Sequence, residues 1–289
     1  MATADTHPRL RLRFRQRTRR APAADRPRAD PSGLLLAFTW PLRYVGARAL
    51  LLLQAATSLF SRPFRAALIL DQMQFIGVGS LPIVMLVGFF SGGVAANSAL
   101  EALKRFQQQV AVGGLVGVSL ARELAPVFAA LMLSARAGAG MASELGSMKL
   151  TEQVDALHSF GVDPVQYLVV PRLIASMIMT PALTLVFDIM GLLGAYIVSI
   201  YLKEVDPGGV LHSFYYYTDP LDYLIGLLKG VVFGLAFSLV ACFQGMNVRG
   251  GARELGLGTT RAVVEGAVCI LVLDYFLTDL FFTIWPTQA

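Results

Sequence analysis

Eight ionisable side chains interrupt otherwise apolar runs of this chain: Arg122, Glu123, Arg136, Glu144, Asp188, Lys229, Glu265 and Asp274. A charge at membrane depth is costly unless it is paired, hydrated or close to an interface. These groups therefore either line a polar path suited to a lipid head group or pair with one another and fix helix packing, and the sequence leaves both readings open. None has the company that catalysis needs. His7, His158 and His212 are isolated, and Cys242 and Cys269 fall within apolar runs as buried thiols, so no His, Cys and carboxylate set shows metal-ligand spacing. The glycine-rich loop ending in Gly-Lys that cradles nucleotide phosphates is also missing, and Arg249, Gly250, Gly251 and Ala252 read as a turn. No catalytic residue, no directly bound cofactor or metal and no nucleic-acid partner is expected. Any active transport must draw on a partner or an ion gradient.

The elements that carry these groups follow from composition. Of 289 residues 55% are apolar and only 15% charged, against about a quarter charged in soluble domains. Segments such as 72–100, without an acidic or basic residue, and 173–202, with Asp188 alone, exceed the roughly 20 residues that a membrane crossing needs. The fold class expected is an all-α integral membrane protein of about five transmembrane helices, preceded by an interfacial helix. Residues 1–33 form a basic tail, with nine arginines in the first 28 residues, expected to be disordered and cytoplasmic. Residues 34–66, with Trp40, Arg43, Tyr44 and Arg48, suit a helix lying at the interface, and 67–289 make the transmembrane domain.

Spans are expected at 75–96, within 110–141, at 165–202, 221–246 and 262–284, with polar connections at 97–109, 146–164, 203–220 and 247–261. The second run is long enough for one helix or for a span entered through a re-entrant piece near Gly113, Gly114 and Gly117. Gly88, Gly92 and Gly93 in the first span, and Gly138 and Gly140 in the second, suit close helix contacts. The aromatic cluster Phe214 to Tyr217 suits a head-group anchor. The arginine distribution favours a cytoplasmic N-terminus and, after five spans, an exterior C-terminus, although Lys104, Arg105 and Lys203 fall on the other side.

Residues 134–172 read SARAGAGMASELGSMKLTEQVDALHSFGVDPVQYLVVPR. The order of a small-residue span, an ELG at 144–146, a TEQ at 151–153, a DP at 163–164 and a PR at 171–172 resembles the MlaE/YrbE permease family. ARELAPV at 121–127 is similar to the family's RELGP element, with Ala125 in place of glycine, and RGGARELGLGTTRAVV at 249–264 to its last cytoplasmic turn. The resemblance extends over about 35–285. It implies a permease subunit of an ABC-type lipid transporter in a bacterial inner membrane, a homodimer with a cytoplasmic ATPase that uses ATP and Mg, a periplasmic MCE-domain partner, and phospholipid or a related lipid as cargo. A non-translocating scaffold for an MCE assembly and an ion-coupled transporter are the alternatives.

The residues of the central connection agree with a coupling role. Thr151 is placed to cap a short helix that begins at Glu152 and Gln153, Val154, Leu157 and Phe160 recur at helical spacing, and Gly161 can end it. Such a stripe either docks in a groove of the ATPase or packs back on the bundle.

Overall fold

The computed structural model describes residues 46–58 and 66–284. The basic tail 1–33, and residues 34–45 and 59–65 of the expected interfacial segment, lie outside them. Eight helices are present among the described residues: α1 (46–58), α2 (Ala66–Lys104), α3 (Gln109–Leu150), α4 (Gln153–Ser159), α5 (Val165–Leu202), α6 (Pro207–Tyr217), α7 (Pro220–Met246) and α8 (Ala252–Ile284). Five of them, α2, α3, α5, α7 and α8, are long and apolar enough to cross a membrane, so the chain is an all-α multi-pass membrane protein. Short α4 caps one end of the bundle and α6 the other, and the two ends are named for them below.

The long helices outrun the spans expected from hydropathy. α2 starts at Ala66 and continues to Lys104, which reduces the expected polar connection 97–109 to residues 105–108. The polar end stays helical because Glu101 accepts from Lys104 one turn away and from Lys203, just past the end of α5, both at 2.9 Å. The second apolar run is one continuous helix rather than a re-entrant piece. α3 bends through local π-turns at Leu120–Leu124 and Ser134–Gly138 without breaking. The connection 203–220 is mostly helix rather than loop: Asp206 caps α6 by accepting from the Gly209 amide at 2.6 Å, and Pro207 supplies the first helical position. Likewise 247–261 shortens to residues 247–251, because α8 is already helical at Ala252.

α5 lies at the centre, against α2 on one side and α7 on the other, and α8 packs on α7. Without a hydrophobic drive between helices in lipid, close backbone approach has to supply the contact energy. A Cβ added at Gly92 would lie 2.0 Å from the Gly191 carbonyl oxygen, and one at Gly194 would lie 2.0 Å from that of Phe89. α7 meets α3 in the same way, since a Cβ on Gly226 would fall 2.1 Å from the Ala121 carbonyl oxygen. Polar side chains in these seams are satisfied within their own helix: Ser176, Thr180 and Thr184 each donate to the carbonyl four residues back.

Gly138 differs from the expectation of a site kept small. A Cβ there meets Phe237 Cδ2 at 3.5 Å, ordinary contact, whereas one at Gly140 falls 2.7 Å from the Phe75 ring. Gly138→Ala should accordingly leave the thermal midpoint within the range of a surface change, about 0.5 kcal/mol. Gly92→Leu should separate α2 from α5 and remove the monodisperse protein from size-exclusion chromatography in detergent. A well-folded Gly92→Leu protein would contradict the α2–α5 seam.

Candidate functional site

Lys229, on α7, is the centre of the polar interior. It is 1% exposed, and its Nζ donates to Glu123 at 2.9 Å, Asp274 at 3.0 Å, Thr278 Oγ1 at 2.7 Å and the Arg122 carbonyl at 3.0 Å. Three helices thus converge on one ammonium, α3 through Glu123, α7 through Lys229 and α8 through Asp274 and Thr278. Lys229 lies nine residues into α7 and Asp274 ten residues before the end of α8. At 1.5 Å per residue that is about 13–15 Å below the α6 end, inside the apolar layer. An ammonium has three protons, so the four acceptors share them, and no carboxylate faces the site without a cation.

Arg122 extends this cluster toward the α6 end. Its Nε donates to Asp222 at 2.5 Å, and Asp222 also accepts from the Asp219 amide, so one carboxylate caps α7 and neutralises a cation of α3. The Arg122 guanidinium also lies 5.7 Å from the Phe282 ring centroid. Arg122 and Glu123 belong to the π-turn Leu120–Leu124, whose widened pitch helps carry the two neighbouring side chains to different partners. The cleft among Arg122, Glu123, Lys229, Thr278 and Phe282 holds only about 10 Å3, room for a single water at most.

The remaining groups divide. Glu144 pairs with buried Arg172 at 2.7 Å, joining the ELG and PR elements across α3 and α5. Glu265 accepts from Arg48 of α1 at 2.5 Å and from Gln244 of α7 at 2.6 Å. Arg136 donates to the Phe75 carbonyl and to Ser80, and pairs with no carboxylate among the described residues. Asp188 is 2% exposed and joins none of these clusters, and its Oδ1 has no partner. Asp222 and Thr278 were not expected as site residues. The signal for Asp222 was available in the run Asp219, Pro220, Leu221, Asp222, a helix start with an acidic third position, but nothing in it names Arg122.

At the other end, α4 is reached through Glu152, whose φ of 59° is left-handed. Thr151 does not cap α4: its hydroxyl donates to the Ser147 carbonyl and closes α3 instead. Gly161, at φ 72°, ends α4 as expected, and the Val162 amide returns to the Leu157 carbonyl. The apolar stripe separates into two parts. Val154 is buried, and Leu157 packs beside it among Leu145, Leu168 and Val169, whereas Phe160 is 82% exposed beside exposed Glu152 and Gln153.

A five-span helical bundle with an ionised interior and no converging group of three or more His, Cys, Asp or Glu side chains among the described residues has the form of a membrane permease. Residues 69–280 match the family described as Permease MlaE, and the chain belongs to that family. It is 40% identical over 240 residues to a "Probable ABC transporter permease protein" of Rickettsia felis, covering 83% of this chain and 93% of that one. It is 35% identical over 218 residues to the "Intermembrane phospholipid transport system permease protein MlaE" of Haemophilus influenzae, covering 74% of this chain and 83% of the relative. Similarity reaches a chloroplastic protein of Arabidopsis thaliana, trigalactosyldiacylglycerol 1, at 32% over 213 residues, with 74% and 61% covered.

Lys229→Met should leave Glu123 and Asp274 in the apolar layer without a cation, at a cost of about 3–5 kcal/mol. The triple change Lys229→Met, Glu123→Gln and Asp274→Asn should recover most of the thermal stability in detergent, since it removes the charges together. Asp188→Asn, which breaks no ion pair among the described residues, should melt with the parent. Equal melting of Lys229→Met and the parent would contradict the cluster.

Proposed function

We propose that this chain is the membrane-embedded subunit of an ABC-type phospholipid transporter, driven by a separate cytoplasmic ATPase that uses ATP and Mg and working with a periplasmic MCE-domain protein and a second copy of itself. The observation that carries this reading is family membership across residues 69–280, which reaches into all five spans. The relative from Haemophilus influenzae is named for intermembrane phospholipid transport, and several relatives are named as ABC transporter permeases. The sequence has no phosphate loop, so the energy of nucleotide hydrolysis must enter through contact.

The α4 end is assigned to the cytoplasm. The nine arginines of the tail and Lys149, Arg249, Arg253 and Arg261 favour it, against Lys104, Arg105 and Lys203 at the α6 end. The C-terminus then falls on the periplasmic side. In this orientation the exposed Tyr215, Tyr216 and Tyr217 of α6 face the periplasm.

The ATPase contact is assigned to the outer face of α4, formed by Glu152, Gln153 and Phe160. Val154 and Leu157 hold that face to the bundle, and Lys149 ties it to α3 through Asp155 at 2.8 Å. Motion imposed on Phe160 is thereby passed to α3, which carries Glu123, and to α5. Inside the bundle, Lys229, Glu123, Asp274, Arg122 and Asp222 are assigned the role of a lock that holds the helices together between transport steps, a reading supported by their ion pairs.

Burying one phenylalanine contributes about 2 kcal/mol, roughly a thirtyfold change in binding. Phe160→Asp should therefore release the ATPase during co-purification while the permease keeps its melting temperature. Leu157→Asp should lower the yield of the permease itself, because that side chain faces the bundle. A Phe160→Asp permease that retains its ATPase at parental stoichiometry would rule out the contact.

A further inference from the structure

Arg48, Arg122, Arg172 and Lys229 each meet a carboxylate, yet Arg136 pairs with none among the described residues and is exposed. It is nonetheless held in a definite place. Nη1 donates to the Phe75 carbonyl at 3.1 Å and to Ser80 Oγ at 3.0 Å, and the guanidinium lies 5.5 Å from the Phe75 ring centroid. Two π-turns make the site, Gln74–Val78 on α2 and Ser134–Gly138 on α3. A π-turn leaves a main-chain carbonyl free for another donor, and Phe75 uses it on Arg136. Gly79 lets the guanidinium lie on the helix surface, since a Cβ there would fall 2.3 Å from Nη2. Both hydrogen bonds leave from Nη1, so the donors of Nη2 and Nε have no partner among the described residues and can turn to a ligand.

Those donors border an open pocket of about 390 Å3, lined by Asp71, Gln74, Phe75, Val78, Gly79 and Arg136. Its size falls in the range of small-molecule sites, roughly 300–1,000 Å3. Asp71 lies one helical turn from Phe75 toward the α4 end, is exposed, and has no ion pair among the described residues. The pocket therefore sets a cation deeper in the membrane and an anion nearer its surface, neither paired among the described residues, with Gln74 between them. A guanidinium in an apolar layer calls for an anion, and its planar fork suits the oxygens of a phosphodiester. An anion beside it calls for an ammonium. A zwitterionic phospholipid head group carries both charges in that order.

We propose that the Asp71–Gln74–Arg136 pocket binds the head group of an amine-bearing phospholipid of the phosphatidylethanolamine kind, with phosphate on Arg136 and ammonium on Asp71. This deepens the lipid-transport reading and rests on it. The test is retention of lipid by the purified permease–ATPase complex after nanodiscs holding equal phosphatidylethanolamine and phosphatidylglycerol are dissolved in detergent, read by mass spectrometry. Retention is read without ATP, so it is decided separately from whether the complex transports.

The parent should retain phosphatidylethanolamine in excess. Arg136→Gln should lose about tenfold of it, the scale of one charge-assisted contact, and Arg136→Lys should keep an intermediate amount. Asp71→Asn breaks no ion pair among the described residues and should move the retained lipid several-fold toward phosphatidylglycerol, so the ratio decides the matter even where Arg136→Gln fails to assemble. Parental retention by Arg136→Gln, or an unchanged ratio in Asp71→Asn, overturns the proposal. Displacement of the lipid by millimolar inorganic phosphate would make this a free-anion site and overturns it too. A disulfide between copies through Val78→Cys would show a second copy covering the pocket, with the same consequence.

Discussion

The constraint on which the rest of this structure depends is the price of an unmatched charge in hydrocarbon. Lys229 is an ammonium with almost no exposure, about 13 Å into the bundle, and it is tolerable because Glu123 and Asp274 meet it from two other helices. That requirement fixes the rotation of α3, α7 and α8 about their own axes more tightly than apolar packing does. Lipid tails and leucines are equivalent partners, and a helix of leucines can turn freely among them. α8 illustrates the point: only 6% of its most apolar window is buried, and Asp274, Thr278 and Glu265 give it definite hydrogen bonds to the bundle.

Close backbone approach supplies the second half of the design. Gly92 against Gly191, Gly194 against Phe89 and Gly226 against Ala121 bring α2, α5, α7 and α3 together where a single methyl group would intervene. Such seams are rigid to separation and permissive to small sliding, because few side chains interdigitate across them. A transporter needs helices that shift relative to one another without opening the interior to lipid. Ion pairs that hold one arrangement and seams that allow another are compatible parts of that task. The connection from α4 into α3 and α5, through Val154, Leu157 and the Lys149–Asp155 pair, offers a rigid route into the same helices.

Much of the fold was legible in the sequence because the membrane imposes long apolar runs, and the five spans occur in the expected order. Their ends were not legible. Polar residues such as Glu101 and Lys104 look like a loop, yet pairing at helical spacing, with Lys203 added from just beyond α5, keeps α2 helical beyond the apolar layer. α6 was hidden for a similar reason, since Pro207, Gly208 and Gly209 resemble a turn until Asp206 caps them. Among the ionisable residues the list was largely readable and the pairing was not. Asp222 and Lys229 are seven residues apart on one helix, but their partners on α3 lie about 100 positions away, and no local pattern encodes that distance. The stripe on α4 was readable as amphipathic, but its division into an inward Val154 and Leu157 and an outward Phe160 follows from tertiary contacts alone.

The central claim is that hydrolysis by a partner ATPase, delivered through contact, drives phospholipid through this permease. The most direct measurement is transfer of a labelled phospholipid from proteoliposomes containing the permease with the proposed ATPase and the proposed MCE-domain protein to an acceptor, with ATP, with a non-hydrolysable analogue, and with an imposed proton gradient in place of nucleotide. The account predicts transfer with ATP alone and none under the other two conditions. Transfer that follows the proton gradient, or that continues unchanged with the non-hydrolysable analogue, would contradict it.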